Sequence, residues 1–234
     1  MTLPSSRVFV DGALEGRVAI VTGGGTNLGK AAASELARCG ASVVIAGRRE
    51  DVLEEAAADV GGCSWVAADI REQAGAEQIV GTALERFGRV DLLLNNAGGQ
   101  YMVPAESLAT KGWRAVHRLN VDGTLAMCRA AYELAMRDAG AGRIVNVTVS
   151  PHHGMPAMAH TGAARAAVEA ITRELASAYG ARGVAVIAVA LGRLDTESLR
   201  KYPAELWKSA AASVPFRRLG TVEEYGWLIA LLAT

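Results

Sequence analysis

The sequence has few aromatic residues. Phe, Trp and Tyr make up 5% of the chain while hydrophobic residues reach 51%, much of it Ala. That balance disfavours an aromatic-rich β-sandwich and suits small-residue helices packed against a sheet. Cysteine is scarce as well. Cys39, Cys63 and Cys128 are scattered, odd in number and without CxxC spacing, which excludes a disulfide framework or a cysteine-based metal site and suits a reducing, cytoplasmic setting. Neither sign of charge is in excess: Lys+Arg and Asp+Glu stand at 24 each, so no global field draws nucleic acid or an anionic membrane. Any selectivity for an anion must come from local placement. No apolar run approaches the roughly 18 residues that a membrane span needs. Met1 to Leu14 also lacks the continuous apolar core of a signal peptide.

At 234 residues the chain is long enough for one sizeable core and short for two, so residues 1–234 are expected to form a single domain. What is present is alternation. Strands are expected at Arg17–Val21, Ser42–Ala46, Ser64–Ala67, Val90–Leu94, Arg143–Thr148 and Val184–Ala190. Helices are expected at Asn27–Cys39, Arg49–Val60 and Gln73–Phe87, with long helical stretches between the later strands. Runs such as Val43-Val44-Ile45 and Leu92-Leu93-Leu94 are apolar throughout, as in a parallel sheet covered on both faces. The implied class is α/β, a doubly wound parallel sheet of the Rossmann type. Thr221 to Ala233 reads as a helix opened by a Thr221/Glu224 capping box. A further strand is expected after it. Either the protein lacks this final edge strand or the sequence continues, and without the strand the sixth strand's edge is open to pairing. A version carrying the extra strand is expected to be more stable, or to differ in oligomeric state.

Between the first strand and first helix lies Thr22-Gly23-Gly24-Gly25-Thr26-Asn27-Leu28-Gly29-Lys30. Glycines allow a sharp turn and close backbone approach, and the helix N-terminus offers unpaired N–H groups to a diphosphate. A Gly-rich segment is weak alone; its place in a βαβ unit makes it specific. The turn resembles the TGxxxGxG loop of the short-chain dehydrogenases/reductases, with Asn27 where the middle glycine usually sits. Asn tolerates left-handed backbone angles, so the loop is expected to keep its shape. Gly23, Gly25, Thr26, Asn27, Leu28 and Gly29 are therefore the candidate diphosphate site.

At the end of the second strand, where an NAD-specific site carries an acidic residue, the sequence has Gly47-Arg48-Arg49. No carboxylate repels a 2′-phosphate there, and two guanidinium groups can bind one bidentately, so NADP(H) is the expected cofactor. The resemblance extends over essentially the whole chain from Gly16. It implies that Asp69 and Ile70 meet the adenine. It also implies that Asn95-Asn96-Ala97-Gly98 closes the adenosine side and steadies the sheet. Leu191-Gly192-Arg193-Leu194-Asp195-Thr196 is similar to the family's PGxxxT loop, with Leu191 for proline. Gly192, Leu194 and Thr196 would then face the cofactor, Thr196 at the nicotinamide carboxamide.

The family's catalytic set is Asn, Ser, Tyr and Lys. Asn120 matches the asparagine, and the serine position falls around Thr148-Val149-Ser150. The YxxxK site reads Thr161-Gly162-Ala163-Ala164-Arg165, so threonine replaces the tyrosine and arginine the lysine. A threonine hydroxyl is not acidic near neutral pH, and arginine stays protonated, so ordinary alcohol–ketone acid–base chemistry is not supplied. Arg165 can still anchor the ribose.

His160–Ala166, Asn95–Gln100 and Pro104–Glu106 with Lys111-Gly112-Trp113 are similar to the peroxisomal trans-2-enoyl-CoA reductases. They are also similar to bacterial relatives linked to citronellol and branched-chain catabolism. That subgroup implies NADPH-dependent reduction of an activated C=C bond in an enoyl thioester, a reaction that needs oxyanion donors more than an acidic phenol. Thr161, Thr148 and Ser150 are candidate donors, and His152 or His153 the candidate proton source. A later tyrosine with YxxxK spacing, present in the human-type member, is replaced by Glu169 and Arg173. Arg193, Arg200, Lys201, Lys208, Arg217 and Arg218 could meet carrier phosphates. Two other readings stay open: a carbonyl/alcohol oxidoreductase using a histidine or water as acid, and a cofactor-binding homologue without catalysis. A homodimer or homotetramer through the helices carrying Asn120 and Arg165 is implied, with Ala126–Ala135 and Ala163–Ala170 allowing close helix packing.

Overall fold

The computed structural model describes residues 5–149, 155–200 and 204–234. Strands β1 (Val18–Thr22), β2 (Ser42–Gly47), β3 (Ser64–Ala67), β4 (Leu92–Asn95), β5 (Gly142–Val149) and β6 (Val184–Leu191) form one sheet in the order β3-β2-β1-β4-β5-β6. All pairings are parallel. Every strand falls within a residue or two of its expected span. The central strands are buried on both faces, as the apolar runs require: β1 and β4 are covered along their whole length, while edge strand β6 is exposed at Ala185 and Ala190.

Helices α1 (Asn27–Arg38), α2 (Glu50–Asp59) and α3 (Gln73–Phe87) are the first three crossovers. The fourth is one long helical run, built from α4 (Thr110–His117), α5 (Gly123–Ala131) and α6 (Arg137–Ala139) joined by π turns at Arg118–Asp122 and Tyr132–Met136. Then α7 (Ala159–Gly180) leads into β6. Short α8 (Glu197–Arg200), α9 (Ala204–Ser213) and α10 (Val222–Ala233) complete the chain.

Two apolar layers sandwich the sheet. One sets Ile79, Val80, Met127 and Ile144 under α3 and α5. The other sets Leu36, Leu53, Val145 and Ile229 under α1, α2 and α10. The expected capping box at Thr221 and Glu224 is formed, with both reciprocal hydrogen bonds present. Strand order reverses between β1 and β4. In such a sheet the cleft outside the strand C-termini at that point is where a ligand sits.

Candidate active site

The phosphate turn leaves β1 at Thr22 and enters α1 at Asn27. Gly23 takes φ +66° and Asn27 φ +46°, so the asparagine adopts the left-handed conformation its position demands. Space around the turn is closed. A Cβ on Gly29 would lie 2.2 Å from the Gly23 carbonyl oxygen, and one on Gly24 2.6 Å from Ile45 Cβ. Gly25 has Val52 Cγ1 at 3.0 Å from the same hypothetical atom. Thr26 is the extended N-cap and its side chain makes no capping hydrogen bond. The first-turn amides of α1, from Asn27 through Leu28 and Gly29, thus have no side-chain cap, the condition that suits a diphosphate.

The end of β4 is tied to this turn. Thr22 Oγ1 accepts from the backbone amides of Asn96 at 3.1 Å and Ala97 at 3.0 Å. Asn96 Nδ2 donates to the Thr22 carbonyl at 3.0 Å. Tyr225 of α10, fully buried, donates its hydroxyl to Asn96 Oδ1 at 3.2 Å. Burial pushes the Tyr225 phenol upward, so it remains a donor at any physiological pH. Sequence reasoning found Asn96 and Ala97 and missed both Thr22 and Tyr225.

At the C-terminal end of β2, Arg48 and Arg49 are exposed, and neither forms an ion pair among the described residues. Asp69 is held by its neighbour. Its carboxylate accepts from Arg71 N at 3.0 Å and Nε at 2.9 Å and pairs with the rest of the guanidinium. That contact holds the carboxyl at about 2. Ile70 is buried against Gly123, where a Cβ would come within 2.9 Å of Ile70 Cγ1. The sequence placed Asp69 at the adenine but gave no sign of the arginine that closes on it.

Helix α7 presents Thr161, Arg165, Val168 and Thr172 as one buried stripe at successive helical turns. Arg165 Nη1 donates to the Val147 carbonyl of β5 at 2.8 Å, while its Nε is buried without a partner among the described residues. Burial pushes the guanidinium down to about 10, which still leaves it charged at neutral pH. Gly98 faces it: a Cβ there would lie 2.5 Å from Arg165 Nη2 and 2.9 Å from Asn120 Oδ1.

Asn120 occupies the π turn Arg118–Asp122, an irregularity often found at functional sites. Its Nδ2 donates to the carbonyls of Gly99 at 2.9 Å and Val116 at 2.8 Å. The Thr161 hydroxyl is fully buried and has no hydrogen-bond partner among the described residues.

Other expected residues fall elsewhere. Thr148 is fully buried and its hydroxyl donates to Glu169 Oε1 at 2.9 Å, so it is turned onto α7. Ser150, His152 and His153 lie outside the described residues, as does Lys201. His160 is buried against the Tyr101 ring, centroids 4.5 Å apart, with both ring nitrogens unpartnered among the described residues. In the loop after β6, Gly192 is exposed, Leu194 bridges Gly220, and Thr196 Oγ1 accepts from Leu199 N at 3.2 Å. Among the described residues no His, Cys, Asp and Glu cluster could hold a metal ion, and no helix is long and apolar enough to cross a membrane.

The fold agrees with comparisons to known proteins. The family model for short chain dehydrogenase matches residues 17–207. A probable 2,4-dienoyl-CoA reductase of Bacillus subtilis (strain 168), (2E)-enoyl-CoA-producing, is 34% identical over 228 residues, covering 94% of this chain and 90% of that protein. A cis-4-hydroxycyclohexanecarboxylate dehydrogenase of Sinomonas cyclohexanicum is 35% identical over 223 residues, covering 93% and 89%. Among solved structures, the citronellol catabolism dehydrogenase AtuB of Pseudomonas aeruginosa PAO1 superposes with TM-score 0.86 at 36% identity, covering 97% of this chain and 91% of that one. The chain belongs to the short-chain dehydrogenase/reductase family and is an oxidoreductase of that type.

Proposed function

We propose that the protein reduces the activated C=C bond of an α,β-unsaturated acyl thioester, with NADPH as the reductant. One observation carries the reading. The positions of the family's acid–base pair hold Thr161 and Arg165, and the threonine hydroxyl is buried with no partner among the described residues. Such a site suits a reaction that must stabilise an oxyanion and does not need a phenol to exchange protons. The name of the Bacillus relative fits this substrate class and extends it to conjugated dienoyl thioesters.

The residues fit the cofactor. The crowded glycine turn and the α1 amides, which have no side-chain cap, suit its diphosphate. Arg48 and Arg49, exposed and without ion pairs among the described residues, suit a 2′-phosphate. The orphaned Nε of Arg165, beside Gly98, suits the ribose hydroxyls. When bound, NADPH supplies the hydride.

A hydride delivered to Cβ would push the π electrons onto the thioester oxygen as an enolate. Thr161 donates its hydrogen bond there, and the nearby guanidinium steadies the charge. A proton then completes the addition at Cα, with His152 or His153, which follow β5 in sequence, as its source. Asn120 spends its amide on the backbone of Gly99 and Val116 and so shapes the site without touching substrate. Assembly as a homodimer or homotetramer through the helices carrying Asn120 and Arg165 belongs to the same proposal.

Oxidation of a secondary alcohol is the second reading, favoured by the similarity to the Sinomonas dehydrogenase. It requires a base that Thr161 does not provide. Spectrophotometric loss of NADPH with crotonyl-CoA, a longer enoyl-CoA, a dienoyl-CoA, an enal and a ketone separates the readings. Turnover of the CoA thioesters is expected. Turnover confined to the ketone would establish the second reading, and tight coenzyme binding with no turnover would establish a homologue without catalysis.

A further inference from the structure

Asn27 replaces a glycine of the phosphate turn, and its side chain is in use. Its Oδ1 accepts a hydrogen bond from the backbone N–H of Glu197 at 3.2 Å, joining positions 170 residues apart. Glu197 is the first residue of α8, and its N–H precedes the turn's own bonds, which run from the amides of Leu199 and Arg200 to the Thr196 carbonyl. The segment it belongs to has its own frame. Asp195 N donates to the Gly220 carbonyl at 2.8 Å, and Gly220 N to the Arg193 carbonyl at 3.0 Å. Arg200 grips Asp195 with two hydrogen bonds at 2.9 and 2.6 Å. A glycine at position 27 would satisfy the backbone angle and lose the cross-link.

We propose that Asn27 is a positioning residue that latches residues 194–200 onto the phosphate turn, holding Thr196 over the coenzyme cleft before the dinucleotide arrives. The inference rests on the reading of the turn as a dinucleotide site. The middle glycine of such turns lets the backbone approach the diphosphate. With Oδ1 turned to Glu197, the two N–H donors of Nδ2 are left for a further partner, and donors favour an anion. Loop order and phosphate binding therefore share one side chain.

Two variants of the full-length protein separate these roles. Asn27→Gly keeps the left-handed turn and removes the latch. Asn27→Asp keeps an acceptor for Glu197 N–H and places a negative charge beside the diphosphate. Limited trypsin digestion of coenzyme-free protein, read by mass spectrometry, reports cleavage at Arg193 and Arg200, both exposed. Asn27→Gly is expected to be cut there about three- to tenfold faster, the worth of one such hydrogen bond, with cleavage elsewhere unchanged. Asn27→Asp is expected to restore the native rate yet bind NADPH more weakly than Asn27→Gly in a fluorescence titration. Equal cleavage of native protein and Asn27→Gly would overturn the latch, and so would acceleration at every site alike. Native protein that binds neither NADPH nor NADH would instead remove the coenzyme reading and leave the digestion result to stand by itself.

Discussion

Gly98 and Arg165 share one volume: a Cβ on the glycine would lie 2.5 Å from the arginine's Nη2. The guanidinium cannot retreat cheaply, because Nη1 is bonded to the Val147 carbonyl and the group is buried. Gly98→Ala is therefore expected to displace Arg165 or Asn120 and to cost about 1–3 kcal/mol of stability. Coenzyme affinity should fall with it. Urea unfolding and a coenzyme titration read the two effects; a fully stable, fully binding Gly98→Ala would show that the guanidinium has another place to go.

Thr161 and Thr148 make opposite predictions although both are buried threonines, one in the first turn of α7 and the other on β5 against its middle. Thr161→Val removes a hydroxyl with no partner, so stability should hold or rise by about 1 kcal/mol. The rate on the thioester should drop by about 100- to 1,000-fold, as for loss of one oxyanion donor. Thr148→Val instead strips the bond to Glu169 Oε1, so stability should fall with little direct effect on the chemical step. Melting temperatures alongside kcat for the two variants decide it. Activity lost through Thr148→Val and kept through Thr161→Val would exchange their roles.

The sheet was legible in the sequence because its strands are apolar on both faces and so leave little freedom in where they lie. The phosphate turn was legible for a local reason, since only Gly and residues such as Asn suit φ values like the +46° of Asn27. What escaped depends on pairs far apart in sequence. Nothing near Tyr225 indicates that its hydroxyl ends on Asn96, 129 residues earlier. The side chosen by Thr148 is a half-exception. Strand alternation puts it on the same face as Asn146, whose Nδ2 donates to Thr172 of α7 at 2.9 Å, so its engagement with that helix follows once α7 is placed. The π turn at Asn120 left no trace in composition, because π and α turns share the same propensities.

Arg48 and Arg49 should set coenzyme preference. They are exposed, and the Asp69 carboxylate that could compete for them is already held by Arg71. Replacing both with alanine is expected to weaken NADPH binding by about 10- to 100-fold, the worth of one or two charge-assisted hydrogen bonds. NADH binding should change little. The NADPH advantage of the native protein should also shrink with added salt, since both guanidinium groups face solvent. Affinities for both coenzymes at low and high ionic strength test this, and an unchanged NADPH:NADH ratio in the double variant would move phosphate recognition elsewhere.

His160 gives the fold a pH dependence of known sign. Its ring is buried against Tyr101 without a hydrogen bond, and burial, aided by the nearby His117, pushes its pKa down. In the unfolded chain a histidine takes up a proton near pH 6.5. Below that pH the unfolded state binds more protons at this position than the native one, so stability is fully present above about 6.5 and is lost as pH falls toward the lowered native value. His160→Phe keeps a flat ring beside Tyr101 and removes both orphaned nitrogens. Its stability should match or exceed that of the native protein at pH 7, and its decline between about pH 6.5 and 5 should be shallower. Urea midpoints across that range measure the slope. An acid limb as steep in His160→Phe as in the native protein would assign the dependence to other groups, and a loss of turnover at unchanged stability would give His160 a part in proton transfer.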